Sequence, residues 1–322
     1  MGNFQKLSVL KNKVYDALDP LITQDYVLLD IPDHKNIGDN LIWAGELKYL
    51  SRLKYRMLYS SNLYLTDFSK IPNNCTILLN GGGNFGDLWR VVQNFRNKVI
   101  QNFPNNKIVI FPVSVHYEDI NNLKKDAEIF NSHRDISICV RDIRSYDLLK
   151  KNFNSKIFLI PDMAFCLDFN DAVSLQKTNK TLLLLRKDKE ANPEIEEIIR
   201  HNLNGRSYQT ADWPTFSDRV PLTEKFMKVF DKKIAKHLIK VPLLGSLIDP
   251  KHGIKNKNSM DNYIRIGVDF INEFDEIYST RLHVFILSVL LNKKVYIIDN
   301  SYGKNSNFYK TWMYDFENVE LL

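Results

Sequence analysis

The chain is poor in cysteine and has no long apolar run, and both absences limit what it can be. It has three cysteines, Cys75, Cys139 and Cys166, in 322 residues, and their spacing fits neither a zinc site nor a disulfide framework. We therefore expect reduced core cysteines and no metal site. No stretch approaches the roughly 20 apolar residues of a membrane span, and the first ten residues are too polar for a signal peptide. These features predict a cytoplasmic protein.

Signature motifs of several enzyme classes are also missing. The sequence has no Walker phosphate loop, no G-x-S-x-G elbow and no H-E-x-x-H zinc motif. Gly81, Gly83 and Gly86 satisfy G-x-G-x-x-G, but the acidic residue that a dinucleotide ribose needs about 20 positions later is absent. This loop also does not follow the first strand. It is better explained as a backbone cradle for a sugar or an anion.

The charge of the chain favours anionic partners but does not identify one. The net charge is +6, and the basic residues are spread out except over 219–257. Within that region, residues 225–241 have the pattern of a basic amphipathic helix, which predicts either peripheral contact with an anionic membrane or a solvated face packed on the protein. No motif interleaves aromatic and basic residues, so nucleic acid is not expected as a partner.

Short apolar runs alternate with longer amphipathic ones, which is typical of an α/β protein with mainly parallel sheets. Strands are predicted at 25–30, 55–59, 75–80, 107–111, 136–140 and 157–160, then at 181–185, 206–210, 275–278 and 294–298. Helices are predicted at 40–53, 88–101, 123–131, 145–152, 194–201, 261–273 and 282–291. The polar segment 168–180 separates the two series, so we expect two domains, residues 1–172 and 173–322.

The segment from Ser279 to His283 puts a permanent cation and an imidazole two residues apart where a strand gives way to a helix. Ser279 or Thr280 is predicted to be the N-cap. Arg281 in the first turn is unfavourable for the helix dipole unless an anion lies there. The alternative is a surface arginine next to a core histidine.

Two glycine-bearing turns are predicted to follow strands and to open helices. In the first, Gly38 permits a close approach of the backbone, and Asp39 or Asn40 can cap the next helix. The second runs from Asn80 to Asp87. Both are candidate binding loops.

Further polar residues stand at predicted strand ends. In open α/β sheets, ligands bind outside the carboxyl ends of the strands. Arg141 and Arg186 are therefore better binding candidates than arginines on helices, although each could equally form a structural ion pair. His116 and Asp162 occupy similar positions.

In order along the chain, these segments resemble motifs of the polysaccharide pyruvyl transferase family. They are Asn36 to Asp39; Leu79 to Asp87; Val140-Arg141-Asp142 with Ser145; Pro161-Asp162-Met163-Ala164-Phe165; and Ser279-Thr280-Arg281-Leu282-His283. Met163 replaces the second proline of the family's P-D-P-A-F. The resemblance implies a GT-B-like fold of two Rossmann-like domains facing a central cleft. It also implies transfer of a pyruvyl group from phosphoenolpyruvate to a sugar as a ketal, in exopolysaccharide or cell-surface glycan synthesis.

The resemblance also implies roles for individual residues. The first domain would hold the acceptor and the second the donor, with the last helix packing back on the first domain. Arg281, Leu282 and His283 map onto the donor-binding element, flanked by Ser279 and Thr280, and Arg186 and Arg141 compete for a second donor-binding position. On the acceptor side we expect Asn36, Gly38, Asp39, Asn40, Gly81, Gly82, Gly83, Asn84, Gly86, Asp87 and His116.

The chemistry of phosphoenolpyruvate sets the catalytic expectation. Its carboxylate and phosphate need at least two cationic sites, which Arg281 and a second arginine can supply. Because an imidazole ordinarily titrates near neutral pH, His283 is the expected acid or base, and Asp39 or Asp87 would orient the sugar hydroxyls. No cofactor is expected beyond phosphoenolpyruvate as co-substrate. A glycan or lipid-linked acceptor would place the enzyme at the inner face of the membrane.

Two other functions remain open at this point, since fold does not fix function. The first is a nucleotide-sugar-dependent glycosyltransferase on the same fold. The second is a noncatalytic glycan-binding relative with a decayed site. The sequence does not determine the acceptor sugar, the ketal stereochemistry or the oligomeric state.

Overall fold

The computed structural model of the chain describes residues 2–32, 34–174, 176–186, 195–203, 205–216 and 254–322. The predicted basic helix at 225–241 lies outside these residues. In the described ranges, the chain folds into an α/β protein with two parallel sheets, as the alternation of apolar runs predicts.

The first half of the chain builds a seven-stranded sheet. Its helices are α1 (Asn3–Leu18), α2 (Ile37–Leu50), α3 (Arg90–Asn102), α4 (Ile120–Asn131) and α5 (Ile143–Asn152). Its strands are β1 (Tyr26–Leu29), β2 (Met57–Ser61), β3 (Thr76–Leu79), β4 (Gly82–Gly86), β5 (Ile108–His116), β6 (Ile136–Val140) and β7 (Lys156–Leu159). The order is β2-β1-β3-β5-β6-β7, with β4 paired to β5.

The second half builds a five-stranded sheet with the order β12-β11-β10-β8-β9. Its strands are β8 (Thr181–Leu184), β9 (Gln209–Ala211), β10 (Glu276–Ser279), β11 (Lys294–Ile297) and β12 (Val319–Leu321). Its helices are α6 (Ile195–Leu203), α7 (Ile254–Asn272), α8 (Leu282–Leu290) and α9 (Lys304–Phe308), which runs into a π-helical turn at Tyr309–Met313. Short 3-10 helices cover Met163–Cys166 and Pro214–Phe216.

The glycine segment differs from its prediction as a turn that opens a helix. It forms strand β4, and helix α3 begins only at Arg90. Strand β5 is long enough to pair with β3 through its first residues and with β4 through its last, so that Gly82 lies opposite Val113 and Gly86 opposite His116. With only one large apolar side chain, Phe85, β4 lacks the pattern of a buried strand, and its pairing depends on the length of β5.

Strand β10 lies between β8 and β11 in the centre of the second sheet, and one prediction at its end needs correction. The N-cap of α8 is Arg281 itself, not Ser279 or Thr280. Arg281 keeps an extended backbone with φ −105°, and the Ser279 hydroxyl accepts a hydrogen bond from its N–H at 2.9 Å.

Helix α2 joins the two halves of the molecule. It packs against α7 and α8 of the second half and against the 3-10 helix Met163–Cys166. A Cβ atom on Gly45 would lie 2.0 Å from the carbonyl oxygen of Met163, and one on Gly267 would lie 2.8 Å from Ile37. One continuous buried apolar cluster therefore includes side chains from both sheets.

The end of the chain packs on the first half. The Trp312 indole N–H donates to the carbonyl oxygen of Arg141 at 2.9 Å, and the rings of Phe308 and Phe165 are stacked with their centroids 6.3 Å apart. These contacts place the loop after β11 next to the loop after β6.

All three cysteines are buried free thiols. Burial raises the pKa of the Cys75 thiol to about 11 and that of Cys166 to about 12. Within the described ranges, no helix has the length and apolar character needed to cross a membrane.

Replacement of Gly45 by alanine tests the packing of α2. Although alanine favours helix, the new methyl group meets a backbone carbonyl that cannot move cheaply, so we expect the free energy of unfolding to fall by about 2 kcal/mol. Urea denaturation measures this change. Gly2→Ala is the matched control, because nothing lies within 4 Å of its Cβ position. A Gly45→Ala protein as stable as the wild type would contradict this account of the packing.

Candidate active site

The carboxyl ends of strands from both sheets meet in one place. Arg141 follows β6 directly, Asp162 follows β7 by three residues, and His283 lies in the first turn of α8 after β10. Parallel strands bring the loops at their carboxyl ends to the same edge of a sheet. The two sheets turn these edges toward each other, so loops distant in sequence form one site.

Three of these side chains are in direct contact. Arg141 Nη1 lies 2.5 Å from Asp162 Oδ2 and 3.4 Å from His283 Nε2. His283 Nε2 is 3.3 Å from the same carboxylate oxygen. Arg141 and Asp162 are wholly buried, and 11% of the His283 side chain is exposed. Arg141 and His283 therefore share one carboxylate across the junction of the two halves.

The surroundings of Asp162 keep it ionised. Burial alone would raise the pKa of its carboxyl, but the neighbouring charges of His283 and Arg141 and the Ala164 N–H bring the pKa well below the ordinary range. The Ala164 N–H donates to Asp162 Oδ1 at 2.9 Å. With both oxygens engaged, this carboxylate is suited to orient Arg141 and His283 rather than to exchange a proton.

One nitrogen of Arg141 points away from this pair. The Nε atom donates to Ser114 Oγ at 3.0 Å, whereas the buried Nη2 atom makes no hydrogen bond to the described part of the chain. Nη2 lies 3.2 Å from the position that a Cβ on Gly83 would take, and Lys304 Nζ lies 2.6 Å from that position. Two cationic groups from opposite halves therefore converge beside a residue that has no side chain.

The first predicted loop lies on the other side of His283. A Cβ atom on Gly38 would come within 2.7 Å of His283 Nδ1, so only glycine lets the backbone approach the ring this closely. The cap of α2 is Asn36, whose side chain accepts from the Gly38 N–H at 3.1 Å, and not Asp39 or Asn40. Asn40 Nδ2 instead donates to the carbonyl oxygen of Asn36 at 2.8 Å.

Asp39 and Asn84 bring polar groups to the glycine strand. Asp39 Oδ1 and Asn84 Nδ2 each lie 3.9 Å from the Cβ position of Gly82. Asp39 Oδ2 accepts from Asn36 Nδ2 at 2.7 Å and lies 3.5 Å from His34 Nε2. A carboxylate and an amide thus approach Gly82, the residue before Gly83.

Arg281 has an anion next to it, as the helix dipole argument requires, and that anion is a side chain. Its Nε and Nη2 atoms bond the two oxygens of Asp212 at 2.5 and 2.7 Å, and its guanidinium lies 5.1 Å from the centroid of the Phe216 ring. Thr215 in the same segment donates to the carbonyl oxygen of Lys35 at 2.7 Å. The segment 212–216 therefore joins Arg281 to the first loop.

Other predicted site residues lie farther along the two sheets. The N–H of Arg186 donates to Thr280 Oγ1 at 3.0 Å at the end of β8. Asp87 accepts from the N–H groups of Glu118 and Asp119 and so holds the turn after β5. The His116 ring stacks on Tyr302 with a centroid distance of 4.4 Å.

Gly81 and Gly86 have structural reasons for lacking a side chain. A Cβ on Gly81 would lie 2.7 Å from the Pro112 carbonyl oxygen, and one on Gly86 would lie 1.9 Å from the carbonyl oxygen of His116. Strand β5 thus excludes side chains at both ends of β4.

Two buried carboxyl groups lie behind the glycine strand. Glu46 Oε1 accepts from the Gly81 N–H at 2.8 Å. Burial raises the pKa of Glu46 well above its ordinary value, against the effect of that hydrogen bond, and Asp162 and Asp30 raise it further. Burial also raises the pKa of Asp30, to about 7. The pKa of Glu46 is thus shifted in the direction opposite to that of Asp162.

Sequence reasoning missed Asp212, Lys304 and Asp30. Asp30 and Asp212 directly follow strands β1 and β9, so the rule that singled out Arg141 and Arg186 could have found them. Lys304 is the first residue of helix α9, seven residues after β11, and that rule does not reach it. No motif surrounds them, and β9 is only three residues long. In the described part of the chain, no group of three His, Cys, Asp or Glu side chains is arranged to hold a metal ion.

Comparison with known proteins agrees with this geometry. The family model of polysaccharide pyruvyl transferases matches residues 36–302. EpsO of Bacillus subtilis (strain 168), provisionally named a pyruvyl transferase, is 33% identical over 97% of this chain and 93% of its own length. Pyruvyl transferase 1 of Schizosaccharomyces pombe is 26% identical over 89% of this chain and 69% of its own length.

A solved structure supports the fold. The crystal structure of an uncharacterized protein from Klebsiella pneumoniae matches with a TM-score of 0.61 at 21% identity, over 97% of this chain and 98% of that one. Fold and site thus define an α/β transferase with two parallel sheets. The chain belongs to the polysaccharide pyruvyl transferase family.

Removal of the Asp162 charge tests the buried cluster. Asp162→Asn leaves two cationic groups facing each other without their shared carboxylate, so we expect the free energy of unfolding to fall by about 3 kcal/mol at neutral pH. Asp269→Asn is the control, because its pair with Arg265 is about two-thirds exposed on both sides and should change stability by less than about 0.5 kcal/mol. Equal effects of the two substitutions in urea denaturation would show that Asp162 is not the centre of the cluster.

Proposed function

We propose that this enzyme transfers the pyruvyl group of phosphoenolpyruvate to a sugar as a ketal. One observation carries this proposal: Arg141 Nη2 and Lys304 Nζ converge beside Gly83. Arg141 also contacts His283, and Asp39 and Asn84 approach the preceding residue, Gly82. Cationic groups suit the phosphate and carboxylate of the donor. The carboxylate and amide suit the hydroxyls of a sugar.

Arg141 is a stronger candidate than Arg186 for the second donor-binding arginine. Its guanidinium is held by Asp162 and Ser114, so that Nη2 has a fixed direction, and it touches His283. Arg281 would bind the donor differently from Arg141, because two of its N–H groups already donate to Asp212. A donor anion at Arg281 would share the guanidinium with Asp212 or displace it.

The reaction requires two proton movements that balance. One acceptor hydroxyl attacks C2 as C3 of the donor takes a proton, and a second hydroxyl attacks C2 as the bond to the phosphate oxygen breaks. Of the two hydroxyl protons, one ends on C3 and the other leaves with phosphate. In this proposal, His283 delivers the proton to C3, and Asp39 receives protons from the hydroxyls. The scheme uses no cofactor besides the donor.

Phosphate release from phosphoenolpyruvate tests the proposal. With purified protein and a panel of glycans containing galactose, mannose, glucose or N-acetylated sugars, we expect release that depends on the acceptor. His283→Ala should lower kcat by about 10²-fold or more. Lys304→Met should raise the KM for the donor by about tenfold or more, because a charge-assisted hydrogen bond is lost.

Lys294→Met is the matched control for Lys304→Met. Lys294 is the first residue of β11, at the end of the strand away from the site, and it pairs with Glu276. Its removal should therefore leave both kinetic constants unchanged. Full activity of His283→Ala would refute its role. Thermal stabilisation by nucleotide sugars but not by phosphoenolpyruvate would point instead to a glycosyltransferase.

We further propose that the acceptor is a membrane-linked glycan in exopolysaccharide synthesis, bound with the help of the basic segment 225–241. The protein should then sediment with anionic phosphatidylglycerol vesicles and not with phosphatidylcholine vesicles. Replacement of Lys228, Lys232, Lys236 and Lys240 by glutamine should abolish sedimentation, because each lysine near an anionic surface contributes about 1 kcal/mol. Wild-type protein that stays in the supernatant would exclude this membrane contact.

A further inference from the structure

Arg96 of helix α3 is wholly buried beneath strand β4. It donates hydrogen bonds to Asn84 in the strand and to Asn80 just before it. Its Nη1 atom donates to the carbonyl oxygen of Asn84 at 2.9 Å, and Nη2 donates to Asn84 Oδ1 at 2.6 Å and to the carbonyl oxygen of Asn80 at 3.3 Å. The guanidinium also lies 5.6 Å from the centroid of the Phe85 ring. The shape of the glycine strand therefore depends on one buried arginine.

This contact fixes which way the amide of Asn84 points. A guanidinium has only donors, so the Asn84 atom that Arg96 touches must be the oxygen. The NH2 group then faces the opposite way, where Nδ2 lies 3.9 Å from the Cβ position of Gly82 and Asp39 Oδ1 lies at the same distance from it. Asn84 itself is partly exposed. The NH2 group of Asn84 and the carboxylate of Asp39 thus both approach Gly82.

Asp30 in turn orients Arg96. Its Oδ2 atom lies 3.7 Å from Arg96 Nη2, and 4% of its side chain is exposed. Asp30 directly follows β1 and has φ +63°, a left-handed conformation that Asp and Asn adopt more readily than other side chains. The chain bends at this residue, which is the first one after the strand.

We propose that Arg96, held by Asp30, is a positioning residue that keeps the NH2 group of Asn84 toward Asp39, where it donates to a hydroxyl oxygen of the acceptor sugar. The identity of that oxygen rests on the proposed function. The orientation of the amide does not, because it follows from the contacts of Arg96 alone.

The charge of Asp30 links this arrangement to pH. Burial raises the pKa of Asp30 to about 7, the charge of Arg96 opposes the rise, and Asp39 adds to it. Glu46 also interacts with Asp30, and burial raises the pKa of Glu46 well above its ordinary value. As the pH rises through 7, Asp30 therefore becomes ionised and attracts Arg96 more strongly, which holds Asn84 more firmly.

The side-chain amide signals of Asn84 test this inference without any activity assay. In 15N-labelled full-length protein, these signals are assigned by their loss in Asn84→Ser and followed from about pH 5.5 to about 8.5 by NMR. We expect a shift with a midpoint near 7 in the wild type and no shift in Asp30→Asn, since asparagine tolerates the left-handed backbone and cannot ionise. Asp126→Asn is the control, because Asp126 pairs with Arg90, which lies in helix α3 together with Arg96. This substitution should leave the titration of the Asn84 signals unchanged.

A kinetic measurement adds the link to the acceptor. Arg96→Lys, which keeps the charge but loses the fork of donors, should raise the KM for the acceptor by about tenfold and leave the KM for phosphoenolpyruvate unchanged.

An Asn84 signal that does not titrate, or one that still titrates in Asp30→Asn, overturns the inference. So does an unchanged acceptor KM in an active Arg96→Lys enzyme. A titrating Asn84 signal in a protein without transfer activity would support the positioning role and refute the proposed reaction alone.

Discussion

The buried ion pair of Arg141 and Asp162 is the contact on which the rest of the site depends. It joins the loops after two neighbouring strands of the first sheet and presents one carboxylate oxygen to His283 of the second half. A buried charge without a partner is costly, and His283 gives the Asp162 carboxylate a second partner, from the other half of the molecule. Gly38 permits this approach, because any side chain there would collide with the imidazole.

The prediction of the fold class from the sequence is confirmed, since strands of a parallel sheet are buried on both faces and stand out as apolar runs. Strands β1, β3 and β6 are of this kind. Strand β4 was not predicted, because four of its five residues are glycine or asparagine and its pairing is decided by β5, about thirty residues later.

The site could be predicted only as a set of separate residues. Arg141, Asp162 and His283 each follow a strand and each was singled out, but their mutual contact joins positions up to 142 residues apart, and no local pattern encodes it. The partner of Arg281 was missed for the same reason. A cation at a helix N-terminus indicates that an anion lies nearby. The sequence could not show that this anion is Asp212, which follows β9, two strands away from β10 in the same sheet.

Two buried carboxyl groups near the site have pKa values shifted in opposite directions, and this difference suits an anionic substrate. The charges of His283 and Arg141 lower the pKa of Asp162, whereas burial raises the pKa of Glu46, because the Gly81 N–H is too weak a partner to offset its loss of water. A raised pKa disfavours negative charge on Glu46, so this group opposes the charges of Arg141 and Lys304 less than an ordinary carboxylate would. An incoming phosphate or carboxylate therefore meets cations that are already in place beside Gly83. Preorganised charge of this kind stabilises an anion without the cost of rearranging the protein when it binds.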